Sequence, residues 1–347
     1  MTPLISFVGF ARNDGYVEGY EDRLRSTVGM VEEQARKFGI CVEYILVEWN
    51  PPFDRPALHE IFAGYTSGAN FSLRIITVPS TNHRGFRGAA EREMHPGRAL
   101  NVGFRRARGR FITSLSSDVF LSDGVFQYLS TEELNDDAVY RLDRYDVDPE
   151  KTIGLAAATS ADREAMLAAA VVQHHGTLSS AMAAYYGLKP LHTNACGDFM
   201  LMGREIWHGI RGVPENCSVA CLEIDSLALH AAVASGAREI LMPDDCRLYK
   251  IAHNRMTSRK VTLLTSGWRM SLARYLNRSL KSAKLNSLIR GLLDAPQRKV
   301  EGLAGVFPSM ERNFVVPALY WHWRGKQVCL NGRGWGLNNV SLDERVL

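Results

Sequence analysis

Acidic side chains stand at four places along this sequence where their surroundings suggest chemistry. The first is Asp118, at the end of "GRFITSLSSD", where an apolar run from Phe111 to Leu115 meets two serines and then a carboxylate. A carboxylate at the C-terminal end of a buried strand lies where open α/β sheets bind ligands, although an aspartate there can equally be a turn residue. The second is Asp198 in "CGDFMLMGREIW", after Gly197 and ahead of an apolar run. The third is the pair Glu223 and Asp225 in "LEIDSLAL". On the first turn of a helix, residues i and i+2 diverge, so only one of these two can point at a given ligand; both also suit the positive end of a helix. The fourth is Glu48, which ends the strand-like "CVEYILVEW". His253 closes a further strand-like segment, "CRLYKIAH".

The elements that must position these residues read as an alternation. Residues 4–11 pattern as a strand, 20–39 as an amphipathic helix, 41–49 and 72–79 as strands, 97–109 as a helix and 110–118 as a strand. Strands alternating with helices imply a mainly parallel α/β sheet with helices on both faces. An alanine-rich, helix-prone stretch covers 161–187. The glycine fingerprint of a dinucleotide site is missing after the first strand, where "GFARNDG" stands.

Composition narrows the class. With 347 residues, 46% hydrophobic and 22% charged, the chain is long enough for a large core and ordinary in its balance. No apolar run reaches the ~18 residues of a membrane span, and the N-terminus lacks the basic start of a signal peptide. Six scattered cysteines show no zinc spacing and suggest reduced thiols in a cytoplasmic setting. The net charge is +4, yet between Asn254 and Val300 eleven Lys or Arg face one acid, Asp294. In 266–294 the leucines 272, 276 and 280 recur every four residues with basic residues between them. Such a helix can lie on an anionic membrane surface, pack its leucines on the protein, or steer an anionic acceptor. Nothing points to nucleic acid.

Four stretches, in order, carry a resemblance: "EYILVEWNPP", "GRALNVGFRRARGRFITSLSSD", "CGDFMLMGREIW" with "LEIDSLALHAAVASG", and "YKIAH". Together they resemble glycosyltransferases of the GT-A type, near the family-two group of bacterial polysaccharide enzymes, over about 70% of the chain from Ile5 to His253. The resemblance implies a GT-A catalytic domain over 1–255, a basic amphipathic segment over 256–300 and a tail over 301–347. It implies a nucleotide-diphospho-sugar donor across the strand ends, with uridine the default nucleotide and guanosine an alternative. Ala11, Arg12 and Glu48 would contact the nucleoside, Arg98 and Asn101 would face the donor, and Ser117 and Asp118 would stand at its diphosphate.

The family usually has Asp-x-Asp at the end of this strand, whose last aspartate binds a divalent manganese or magnesium ion. Here Ser116-Ser117-Asp118 keeps only that last carboxylate, and His253 matches a late histidine that some members supply to the metal. Asp198 would contact the donor sugar or the acceptor. Glu223, or Asp225 two residues on, would be the base of an inverting transfer to a glycan or lipid-linked acceptor, on or near the inner face of a membrane. Two other readings stand beside this one. A nucleotidyltransferase normally has a lysine-ended glycine loop that "GFARNDGYVEGYEDR" lacks; a catalytically silent nucleotide-sugar-binding protein would accord with the lost first aspartate.

Overall fold

A computed structural model describes residues 2–15, 19–90, 92–155, 158–176, 191–215, 224–251 and 316–347. Glu223, His253 and the basic segment 256–300 lie outside the described residues.

The first strand, β1 (Ile5–Ala11), leads through α1 (Tyr20–Lys37) to β2 (Val42–Trp49), and through the single-turn α2 (Leu58–Ile61) to β3 (Phe71–Val78). After the short α3 (Ser80–His83) and α4 (Pro96–Arg106) comes β4 (Phe111–Ser114). These four strands are parallel neighbours, in the order β4-β1-β2-β3. Every residue of β2 is buried, as befits a strand covered on both faces. Period-2 alternation sends Val42, Tyr44 and Leu46 to one face, with Leu24, Val28 and Val31 of α1. It sends Ile45, Val47 and Trp49 to the other, with Leu100, Val102 and Phe104 of α4. Each such buried side chain contributes roughly 1.5–3 kcal/mol. The expected α/β sheet with helices on both faces is therefore present.

Beyond β4 the sheet departs from a parallel pattern. A short strand β5 (Val119–Leu121) and α5 (Asp123–Thr131) precede β6 (Ala138–Arg141), and β7 (Asp143–Val147) follows at once. Helix α6 (Ser160–Ala169) leads to β8 (Val171–His175), β9 (Leu201–Gly203) and α7 (Arg204–Ile210). Then come α8 (Ile224–Ala234), β10 (Arg238–Leu241), β11 (Arg247–Ile251), α9 (Val316–Arg324) and β12 (Asp343–Val346). The main sheet runs β10-β6-β9-β4-β1-β2-β3-β12, with β9 antiparallel to both its neighbours and β12 antiparallel to β3.

A second, smaller sheet runs β5-β11-β7-β8. The first part of the alanine-rich stretch forms a helix that stops at Ala169, because Val171 begins a strand that pairs with β7; residues 177–187 of the stretch lie outside the described residues. Adjacent β-branched valines favour that pleated pairing over another helical turn. Among the described residues no helix is long and apolar enough to cross a membrane. Cys41, Cys196, Cys246 and Cys329 are free thiols.

Candidate functional site

The chain leaves β4 at Ser114 and turns through Ser116, Ser117 and Asp118 into β5. Val8 accepts from Leu115 N at 2.9 Å, and Ser117 O accepts from the Thr27 hydroxyl at 2.9 Å. The Asp118 carbonyl accepts from Ile251 N at 3.0 Å, which joins the turn to β11 and sets Lys250 beside it. The Lys250 ammonium lies 3.9 Å from Asp118 Oδ2 and 2.6 Å from Asp198 Oδ1.

The small sheet explains how Lys250 comes to be there. Strand register pairs Lys250 with Asp146 and Leu248 with Arg144, and β8 sets His175 opposite Arg144. Arg144 and Asp146 lie two apart, so they share the polar face with Lys250, whereas Tyr145, Val147 and Tyr249 turn to the other. Arg144 bonds Asp198 Oδ2 at 3.1 Å through Nη1 and pairs with Asp146 Oδ1 at 2.9 Å through Nε. His175 pairs with Asp146 at 2.9 Å, and His174 with Asp143 at 2.7 Å while stacking on Tyr145. Both histidines, assigned no role from sequence, thus pin the edge strand of this sheet.

Asp198 is buried between two cations. Burial alone would raise its carboxyl, but Lys250 and then Arg144 outweigh that and hold it below the usual carboxylate range. For Lys250 burial works to lower the ammonium, and Asp198 and Asp118 together raise it, so it stays charged. Asp225, at the start of α8, completes the group. A Cβ on Gly197 would meet Asp225 Oδ2 at 2.9 Å, so the Gly197-Asp198 turn lies directly against this carboxylate. Burial, with the negative charge of Asp198 adding to it, raises the Asp225 carboxyl, while the N–H of Ser226, donating to Oδ1 at 2.9 Å, opposes the rise. Asp118, Asp198 and Asp225, drawn from three separate sequence stretches, are thus linked through Lys250 and Gly197.

The other expected donor contacts divide into two groups. At the ends of β1 and β2, Arg12 donates to the Asn50 carbonyl at 2.8 Å and pairs with Asp14 at 2.9 Å and Glu93 at 3.2 Å. Asn50 takes a left-handed φ of 49° there and donates to Glu93. Arg98 lies 4.1 Å over the Phe86 ring and pairs with Glu215 at 3.1 Å.

Three of the residues expected to contact the donor are buried. Ala11 is buried at 1% exposure and presents almost no surface to a ligand. Glu48 has none at all; its oxygens accept from Leu58 N at 2.7 Å and Thr77 Oγ1 at 2.9 Å, so it caps α2 and ties it to β3. Asn101 is likewise fully buried, and its amide exchanges bonds at 2.8 Å with both backbone groups of Val213. It clamps a turn in which Gly212 has φ +74°, leaving no room for a Cβ against the Asn101 side chain. Each asparagine or carboxylate here satisfies buried backbone groups, a demand that motif spacing does not reveal. Trp207 is fully buried and stacks on Phe104, with ring centroids 4.2 Å apart.

Among the described residues no three His, Cys, Asp or Glu side chains gather into a set that could hold a divalent metal. Around Asp118 the charge already present is an ammonium. The described residues therefore do not by themselves form a divalent-metal site. A cavity of about 780 Å³ lies elsewhere, lined by Arg108, Arg110, Asp136, Gly203 and Arg204 at the other ends of β4 and β9. Its charges pair among themselves, as Arg110 does with Asp136 at 2.8 Å, so the carboxylate group is the better candidate for chemistry.

With this geometry in view, known proteins offer a structural likeness. The chain is similar to GT-A-type glycosyltransferases. It superposes on TarS of S. aureus with a TM-score of 0.47 and 13% identity, over 92% of this chain and 88% of that one. GalNAc-T7, solved with UDP, GalNAc and Mn2+, gives 0.45 and 10%, over 92% and 58%. Drosophila β1,4-galactosyltransferase 7, solved with xylobiose, gives 0.39 and 11%, over 77% and 79%. At these scores the likeness decides neither donor nor chemistry. No family model matches the sequence. No curated protein matches it either.

Sequence reasoning passed over Lys250 and Arg144. A signal existed: a lysine between Tyr249 and Ile251, in a strand with buried neighbours, requires a carboxylate partner.

Proposed function

We propose that this protein is a glycosyltransferase that moves a sugar from a nucleotide-diphospho-sugar, UDP-linked by default, to a glycan or lipid-linked acceptor with inversion. The observation that carries this reading is the convergence of Asp118, Asp198 and Asp225 beside the strand ends, where open α/β sheets receive ligands.

In the reaction the acceptor hydroxyl gives its proton to a carboxylate as its oxygen attacks the anomeric carbon. The bond from that carbon to the diphosphate breaks on the opposite face, and its electron pair leaves on the diphosphate oxygen. Asp225 is suited to the base because its carboxyl is raised above the usual range and so holds a proton more readily. Glu223, two residues earlier and outside the described residues, is the other candidate. Asp198, kept ionised by Lys250 and Arg144, is suited to accept hydrogen bonds from sugar hydroxyls. Arg12, Asn50 and Arg98 offer the polar wall on which the nucleoside would rest. The basic residues of 256–294 would hold the enzyme near anionic lipid, where a lipid-linked acceptor resides.

The test is a thermal-shift panel of UDP, GDP, ADP and CDP followed by incubation with the matching sugar donors. One nucleotide should raise the melting temperature, and its sugar donor should slowly release free sugar. Stabilisation without turnover of any donor would leave a binding protein instead.

A further inference from the structure

The geometry points to Lys250 as the cation that receives the departing diphosphate, so that donor binding proceeds without a divalent metal. This rests on the transferase reading and deepens it. Lys250 comes from β11 of the small sheet, which register sets against the turn that bears Asp118. Its ammonium spans the two carboxylates, at 2.6 Å from Asp198 and 3.9 Å from Asp118.

An ammonium has three donors. Only Asp198 takes one of them at hydrogen-bond distance among the described residues, since 3.9 Å to Asp118 is a charge contact and not a hydrogen bond. The remaining donors are available to phosphate oxygens. Two carboxylates flank the ammonium and hold it in place beside the turn that bears Asp118. Arg144, on the other oxygen of Asp198, keeps that aspartate from neutralising Lys250 completely. A dication placed on Asp118 would meet the ammonium at close range and repel it. One positive point charge at this place does what a hard metal ion would do for a leaving diphosphate: it stabilises charge as it develops.

Calorimetric titration with UDP, and with GDP as a second probe, tests this on the full chain. Wild type should bind one nucleotide with the same affinity, within about threefold, in chelator and in manganese. Lys250→Met should weaken binding by about 10–100-fold, the range of one charge-assisted hydrogen bond. Lys250→Arg should keep most of the affinity, and it serves as the control if Lys250→Met melts early. Asp118→Asn discriminates most sharply: loss of a negative charge beside the phosphate site should tighten binding in chelator. Binding that requires manganese and disappears in Asp118→Asn would overturn the proposal and make Asp118 a metal ligand. Wild-type affinity in a folded Lys250→Met would overturn it too. Absence of binding for every nucleotide diphosphate would overturn the transferase reading itself, and this inference with it.

Discussion

Gly197 faces Asp225 so closely that a methyl group on the glycine would stand 2.9 Å from Asp225 Oδ2. The two residues come from segments 28 positions apart in the sequence, and their contact joins the turn that carries Asp198 to the start of α8. Gly197→Ala should therefore displace the Asp225 carboxylate without straining the backbone, since a left-handed φ is not required there. We expect a folded protein that binds nucleotide normally and transfers sugar at least about tenfold more slowly, because small misplacements of a reacting group are costly. Steady-state kinetics beside nucleotide titration would check it; unchanged kcat would separate Asp225 from the reaction.

A base must be deprotonated to act, and the Asp225 carboxyl is raised by burial and by Asp198. Transfer should rise with pH through a value above the ordinary ~4 of an aspartate. Asp225→Asn should lower kcat by about 10²–10⁴-fold and remove that limb of the profile. If Glu223→Gln does this and Asp225→Asn does not, the base is the earlier acid.

Asp198 titrates in the opposite sense. Its folded-state carboxyl lies below the unfolded value, so the stability it contributes is present above about pH 4 and is lost as pH falls through the folded value. Asp198→Asn should destabilise the protein by roughly 3 kcal/mol at pH 7, because Lys250 and Arg144 lose their shared partner. Urea unfolding of both proteins at pH 7 and at pH 3 should show the gap narrowing at the lower pH.

Glu48 and Asn101 are framework residues by their contacts, and their substitution should be read in stability. Glu48→Gln keeps the shape of the side chain but removes the charge that accepts from Leu58 N and Thr77 Oγ1. A loss of about 1–3 kcal/mol is expected, with nucleotide affinity unchanged. Reduced affinity at full stability would return Glu48 to the nucleoside pocket.

Much of the fold was legible because its signals are local. The apolar runs of β1 to β3 and the amphipathic α1 declare themselves within a few residues. Asp118, Asp198 and Asp225 stood out as acids beside apolar runs, and the structure joins them. Of the small sheet only the strand-like segment of β11 showed: β7 is written as charged residues, Asp143, Arg144 and Asp146, whose partners His174, His175 and Lys250 come from elsewhere in the sequence. The same long-range pairing hid the antiparallel β9 and β12, whose partners lie on β4, β6 and β3. The buried bonds of Glu48 and Asn101 were hidden for a related reason. A buried polar side chain is held by whichever backbone groups need it, and those groups are far away in sequence or belong to turns.

Sugar transfer from a nucleotide-diphospho-sugar by carboxylates at the strand ends leaves a product that can be observed as it forms. Proton NMR of the purified protein incubated with UDP- and GDP-sugars, without acceptor, tests it most directly. Free sugar should be released slowly, its first-formed anomer inverted relative to the donor, and that release should be lost when Asp225→Asn and Glu223→Gln are combined. Donors that stay intact with every sugar, or a first-formed anomer that retains the donor's configuration, would contradict it.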